Sequence, residues 1–103
     1  MTEKSEAKRD GATLQPNSGR GRFAKGDAVL DGWCLDYKEY AKSFTVSMDV
    51  WAKISTDAFK AGNLEPALKL ILGSGQQKIR LFVISESMFE LMHEAYKEKY
   101  EQV

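Results

Sequence analysis

The chain has 103 residues, 43% of them hydrophobic and 29% charged, with a formal net charge of zero. That suits one compact soluble domain and is too short for two, and no apolar run reaches the length needed to span a bilayer. The single cysteine, Cys34, excludes an internal disulfide, and one cysteine with one histidine leaves no usual zinc site.

The N-terminal run MTEKSEAKRD is charged and lacks the apolar stretch of a signal peptide, so a cytoplasmic location is expected. Residues 3 to 10 are compatible with a short helix. Residues 14 to 26 (LQPNSGRGRFAKG) carry the Gly, Ser, Pro and Asn of a loop. Between residues 1 and 26 the bases Lys4, Lys8, Arg9, Arg20, Arg22 and Lys25 outnumber the acids Glu3, Glu6 and Asp10. A basic segment on a neutral chain fits local contact with phosphate, and a solvated tail is the plainer reading.

After the loop come two apolar runs, AVL and WCLDY, separated by Asp31-Gly32. Asp-Gly in that place predicts a two-residue hairpin turn, which needs positive φ. Residues 43 to 47 (SFTVS) read as a third strand. Trp51, Ile54 and Ala58 at helical spacing predict a helix over 48–61, stopped by Gly62-Asn63. PALKLIL (66–72) and KIRLFVIS (78–85) read as two further strands joined by a Gly-rich turn. From Glu86 onward Met88, Phe89, Met92, Tyr96 and Tyr100 mark one face of a closing helix, for packing against the sheet or a second subunit. Ser87 and Glu90 could form its capping box. Trp33, Trp51, Phe59 and Phe82 read as core. The expected fold is α/β, a central mixed sheet flanked by helices in one domain, with a short helix and basic loop over 1–26 and a catalytic core over 27–103.

The hairpin numbering has a chemical consequence. With Asp31 and Gly32 in the turn, Asp27 faces Asp36 at a non-hydrogen-bonded pair, where side chains lie closest. Asp36 and Lys38 share that face of their strand. Ala28, Leu30, Trp33, Leu35 and Tyr37 take the other face and should pack a core. Two opposed carboxylates destabilise a hairpin unless a cation sits between them, and a hard divalent ion held by carboxylate oxygens would do so. Such an ion with a nearby ammonium group suits phosphodiester hydrolysis. Asp27 and Asp36 are therefore the candidate metal ligands and Lys38 the catalytic cation. Ser18, Arg20, Arg22 and Lys25 in the upstream loop are candidates for DNA phosphate contact, against a merely flexible loop. His93 and Cys34 read as structural residues.

The string QPNSGRGRFAKGDAVLDGWCLDYKEY (15–40) resembles the PD-(D/E)XK nuclease superfamily, and within it the small Holliday junction resolvase-like endonucleases of archaea and bacteriophages. Ser18-Gly19, Gly26-Asp27 and Asp36-Tyr37-Lys38 stand at the family's Ser-Gly loop, Gly-Asp and Glu-X-Lys positions, with Asp36 where glutamate is commoner. The resemblance implies a restriction-endonuclease-like core, magnesium (with manganese as substitute), cleavage of branched DNA and a homodimer presenting two sites. It implies no membrane and no organic cofactor. It also implies an acidic residue in the first helix, for which Glu3 stands nearest and Glu6 is the alternative. The small size and the likeness point to a bacteriophage source, with action in the host cytoplasm. Two alternatives stand beside this reading: a nicking or restriction-like nuclease of ordinary duplex, and a non-catalytic DNA-binding or assembly protein on the same fold.

Overall fold

The computed structural model describes residues 3–14 and 27–101. Helix α1 (Glu3–Asp10) leads into a two-residue strand β1 (Thr13–Leu14). Strands β2 (Asp27–Leu30) and β3 (Trp33–Tyr40) follow, then helix α2 (Met48–Lys60), strands β4 (Glu65–Ser74) and β5 (Gln77–Val83), and helix α3 (Glu86–Glu101). Among the described residues, five strands form one mixed sheet in chain order. β3 and β4 are parallel and every other neighbouring pair is antiparallel. The chain is thus α/β, and none of its described helices is long and apolar enough to cross a membrane.

The hairpin forms where Asp31-Gly32 predicts it. Both turn residues have positive φ (45° and 89°), so glycine at 32 avoids the strain a side chain would meet there. The turn fixes the register at Leu30–Trp33, Val29–Cys34, Ala28–Leu35 and Asp27–Asp36.

Side-chain alternation then assigns the sheet's two faces. On one, Leu35, Tyr37, Ala67 and Ile71 pack with Ala28 and with Ala7 of α1. On the other, Leu68 and Leu70 pack beneath Ile54 of α2, with Phe44, Val50 and Trp51 around them. Ser47 caps α2, its Oγ accepting from the Val50 amide at 3.2 Å, and Asp49 adds negative charge in the first turn.

The structure corrects several expectations. Residues 43–47 are not a strand: β3 runs on to Tyr40, and the chain then leaves the sheet to reach the α2 that returns it parallel at β4. Phe44 in that connection packs on the α2 core, its ring 5.2 Å from that of Tyr40. The cap of α3 is Ser85, whose Oγ accepts from the Met88 amide at 3.1 Å, so Ser87 is not in a capping position. Phe59 and Phe82 are exposed rather than core, and Trp33 and Trp51 are half-buried. No residue of α3 is fully buried: Met88 is half-buried, and most of the helix's apolar face is exposed.

Candidate active site

Asp36 lies near the middle of β3, between Asp27 on β2 and Leu68 on β4. The sequence suggested an open polar face here. The structure lays α2 across it instead, because Leu68, Leu70 and Leu72 of β4 give this face an apolar surface for Ile54 to cover. Asp36 is only 6% exposed as a result, and Cys34 beside it is buried.

The nearest described charge to Asp36 is the Lys38 ammonium, with Nζ 3.6 Å from Oδ2 and its side chain about one-third exposed. α2 adds two groups that sequence reasoning missed. Lys53 and Asp57, one turn apart, form an ion pair at 3.1 Å, and both act electrostatically on Asp36. Burial pushes the Asp36 carboxyl above the usual aspartate range. Lys38 and Lys53 oppose that shift, and the Asp57 carboxylate adds to it. A legible signal existed in the i, i+4 pairing of Lys53 and Asp57, which flank the core-facing Ile54 and Ala58. Only the docking of α2 shows what the pair faces.

Asp27 is directly opposite Asp36 in the strand register, as the numbering required. Its side chain, that of Glu3, and Ser18, Arg20, Arg22 and Lys25 lie outside the described residues. Among the described residues no group of three or more carboxylate, imidazole or thiol side chains could hold a metal. Asp36 supplies one half of the candidate pair. Of the candidate pair only the Asp36 carboxylate is described: it is buried, opposite Asp27 in register, and ion-paired with Lys38 at 3.6 Å.

Glu6, the alternative first-helix acid, is ruled out of this site by its position. It is fully buried on the opposite face of the sheet, where Arg80 donates to both its oxygens (3.2 and 3.1 Å) and Lys69 pairs with it at 3.1 Å. Lys69, 2% exposed, also donates to Asp10 at 2.7 and 2.9 Å, and the Tyr37 hydroxyl donates to the same carboxylate at 3.0 Å. Two acids and two bases are mutually satisfied there. Burial alone would raise the Glu6 carboxyl, but hydrogen bonds from Arg80 and Lys69 outweigh it and hold the group below the usual glutamate range. The cluster docks a polar helix on three strands and offers no unsatisfied group to a substrate.

Comparison with protein-family models, with curated proteins and with solved structures finds no match for this chain.

Proposed function

We propose that the chain is a magnesium-dependent DNA endonuclease on a restriction-endonuclease-like core, and that its substrate is branched DNA of the Holliday junction type. One observation carries the reading: Asp27 and Asp36 are register partners across the β2–β3 hairpin, with Lys38 on the same strand face as a buried Asp36. The element order supports it in part, with a leading helix, an antiparallel hairpin, a crossover helix and a parallel strand, but without the strand expected at residues 43–47.

Asp27 and Asp36 would hold magnesium, or manganese in its place. The bound ion would supply Lewis-acid polarisation of a phosphoryl oxygen and a water of lowered pKa. The protein's own groups do the rest. Lys38 orients the attacking water and offsets charge developing on the phosphate. Lys53, whose side chain is well exposed on α2, adds a second ammonium near Asp36 and draws the backbone phosphate toward it. Asp57 pairs with Lys53 and holds it on that side of the helix. In this reading Ser18, Arg20, Arg22 and Lys25 grip the flanking phosphates, and a homodimer supplies the two sites needed to cut both strands of a junction.

The test is cleavage of labelled four-way junction and of matched linear duplex, with and without magnesium or manganese, by the native chain and by Asp27→Asn and Lys38→Ala variants. Metal-dependent cutting of the junction, lost in both variants, is the expected result. Equal cutting of linear duplex would keep the catalytic site and discard the junction substrate. No cutting of either DNA by folded protein would leave the non-catalytic DNA-binding reading in its place.

A further inference from the structure

Alternation along β3 sends its last charged residues to different faces of the sheet. Asp36, Lys38 and Tyr40 stand on the α2 side, in register with Leu68, Leu70 and Leu72. Glu39 turns to the α1 side, in register with Ile71, and Lys78 of β5 pairs with it there. Beyond Tyr40 the chain passes through Lys42, which is exposed, to Phe44, which packs on the α2 core. Glu39 is the single acid between Tyr37 and Met48, and the next, Asp49, belongs to the first turn of α2. Lys38, Tyr40, Lys42 and Phe44 therefore alternate cation and aromatic ring along the chain leading away from Asp36.

Tyr40 is 46% exposed. The half-buried Phe44 backs it, with ring centroids 5.2 Å apart and planes tilted by 32°. A ring braced by a core residue and still open to water is a stacking platform ordered before any ligand arrives, which lowers the entropic cost of binding. Lysines before and after such a ring suit a polyanion that carries flat rings of its own. Lysine meets phosphate, and tyrosine meets a base. At about 3.3 Å per residue, Tyr40 stands about 13 Å along β3 from Asp36, with Lys38 midway. A stacked strand advances roughly 3.4 Å per nucleotide and an unstacked one more, so the ring meets a base about two to four nucleotides from a phosphate at Asp36. A base inside a duplex is stacked on both sides, so only an unpaired base is open to the ring.

We propose that Tyr40, braced by Phe44 and flanked by Lys38 and Lys42, stacks on an unpaired base of the DNA strand whose phosphate lies at Asp36. The inference rests on the DNA reading above and sharpens its substrate to a branch point that carries unpaired bases.

Binding measured by fluorescence anisotropy in chelator, so that no strand is cut, is the test. The probes are a labelled splayed-arm DNA with one single-stranded arm, the same DNA with abasic sites along that arm, and a matched duplex. Native protein should bind the natural arm about five- to a hundredfold more tightly than the abasic arm, the effect of one base on an aromatic ring. Tyr40→Leu should lose the same factor on the natural arm and be indifferent to abasic sites, whereas Tyr40→Phe should keep the native preference. Lys42→Ala should weaken binding to both arms alike and lower the salt slope by about 0.7. The abasic comparison needs only native protein, so it decides the matter even where Tyr40→Leu folds poorly. Equal binding of natural and abasic arms by native protein, or an abasic effect of unchanged size in folded Tyr40→Leu, overturns the stacking assignment and leaves the nuclease reading intact. An unchanged salt slope in Lys42→Ala removes Lys42 from the proposal. Protein that shows the Tyr40-dependent preference and cuts no DNA leaves this inference standing and removes only the catalytic reading. Native protein that binds none of the three DNAs overturns both.

Discussion

Asparagine at position 36 should make the protein more stable and at the same time deaf to magnesium. Asp36 is 6% exposed, and burial raises its pKa above the ordinary 3.8 despite Lys38 and Lys53. A carboxyl whose folded pKa is raised destabilises the fold once it is ionised. The penalty is absent below the unfolded value and grows as pH rises from there to the raised folded one. Asp36→Asn keeps the shape and removes the charge, for an expected gain of about 0.5–2 kcal/mol at pH 7.5 in chelator. In a chain of 103 residues each kcal/mol moves the melting temperature by about 4–8 °C, so scanning calorimetry resolves the effect. Magnesium at ten times its dissociation constant should stabilise the native protein by about 1.4 kcal/mol, a rise of roughly 6–11 °C. The asparagine variant should show little of that rise. A variant less stable than native protein in chelator would refute the account of Asp36 as a strained buried charge. An equal magnesium response in both proteins would refute its role as a ligand.

Glu6→Gln should lose about 3 kcal/mol in urea unfolding, because it leaves Arg80 and a share of Lys69 without their buried counter-charge; a loss under about 1 kcal/mol would show that α1 is held otherwise. The depressed Glu6 pKa stabilises the native state above the ordinary value of 4.5, and that contribution is lost as pH falls through the lower folded value. The variant's stability should therefore vary less with pH below 4.5, which unfolding curves across that range would read. Lys53→Ala should reduce junction cleavage about tenfold at low salt and shift stability by less than about 1 kcal/mol, since its ion pair with Asp57 is largely exposed on the lysine side. Unchanged cleavage kinetics would remove Lys53 from the site.

What the sequence determined is local or depends on counting. Asp31-Gly32 dictated a turn with positive φ, and the turn dictated which residues oppose one another, so the Asp27–Asp36 pairing was legible before any coordinates. The 3.6-residue spacing of Trp51, Ile54 and Ala58 identified α2 and its inner face. The α3 stripe was equally legible as a helix face, but periodicity shows only that a face is apolar.

What covers each face was a matter for the tertiary structure. Lys69 sits in an apolar strand, PALKLIL, and nothing near it in sequence explains a buried ammonium. Its partners Glu6 and Asp10 are 63 and 59 positions away, brought together when α1 docks. The same distance in sequence hid the role of Glu6, which reads as a surface acid on a short charged helix and proves to be sealed beneath Arg80. Alternation of Phe44 and Val46 imitated a strand, but a strand exists only where a neighbour accepts its hydrogen bonds, and this segment leaves the sheet. Asp36 could be placed opposite Asp27 by arithmetic, yet its burial, its raised pKa and the company of Lys53 and Asp57 depend on α2 crossing that face of the sheet. Pairing register follows from the chain's own spacing, whereas burial and electrostatic environment follow from which distant elements pack together.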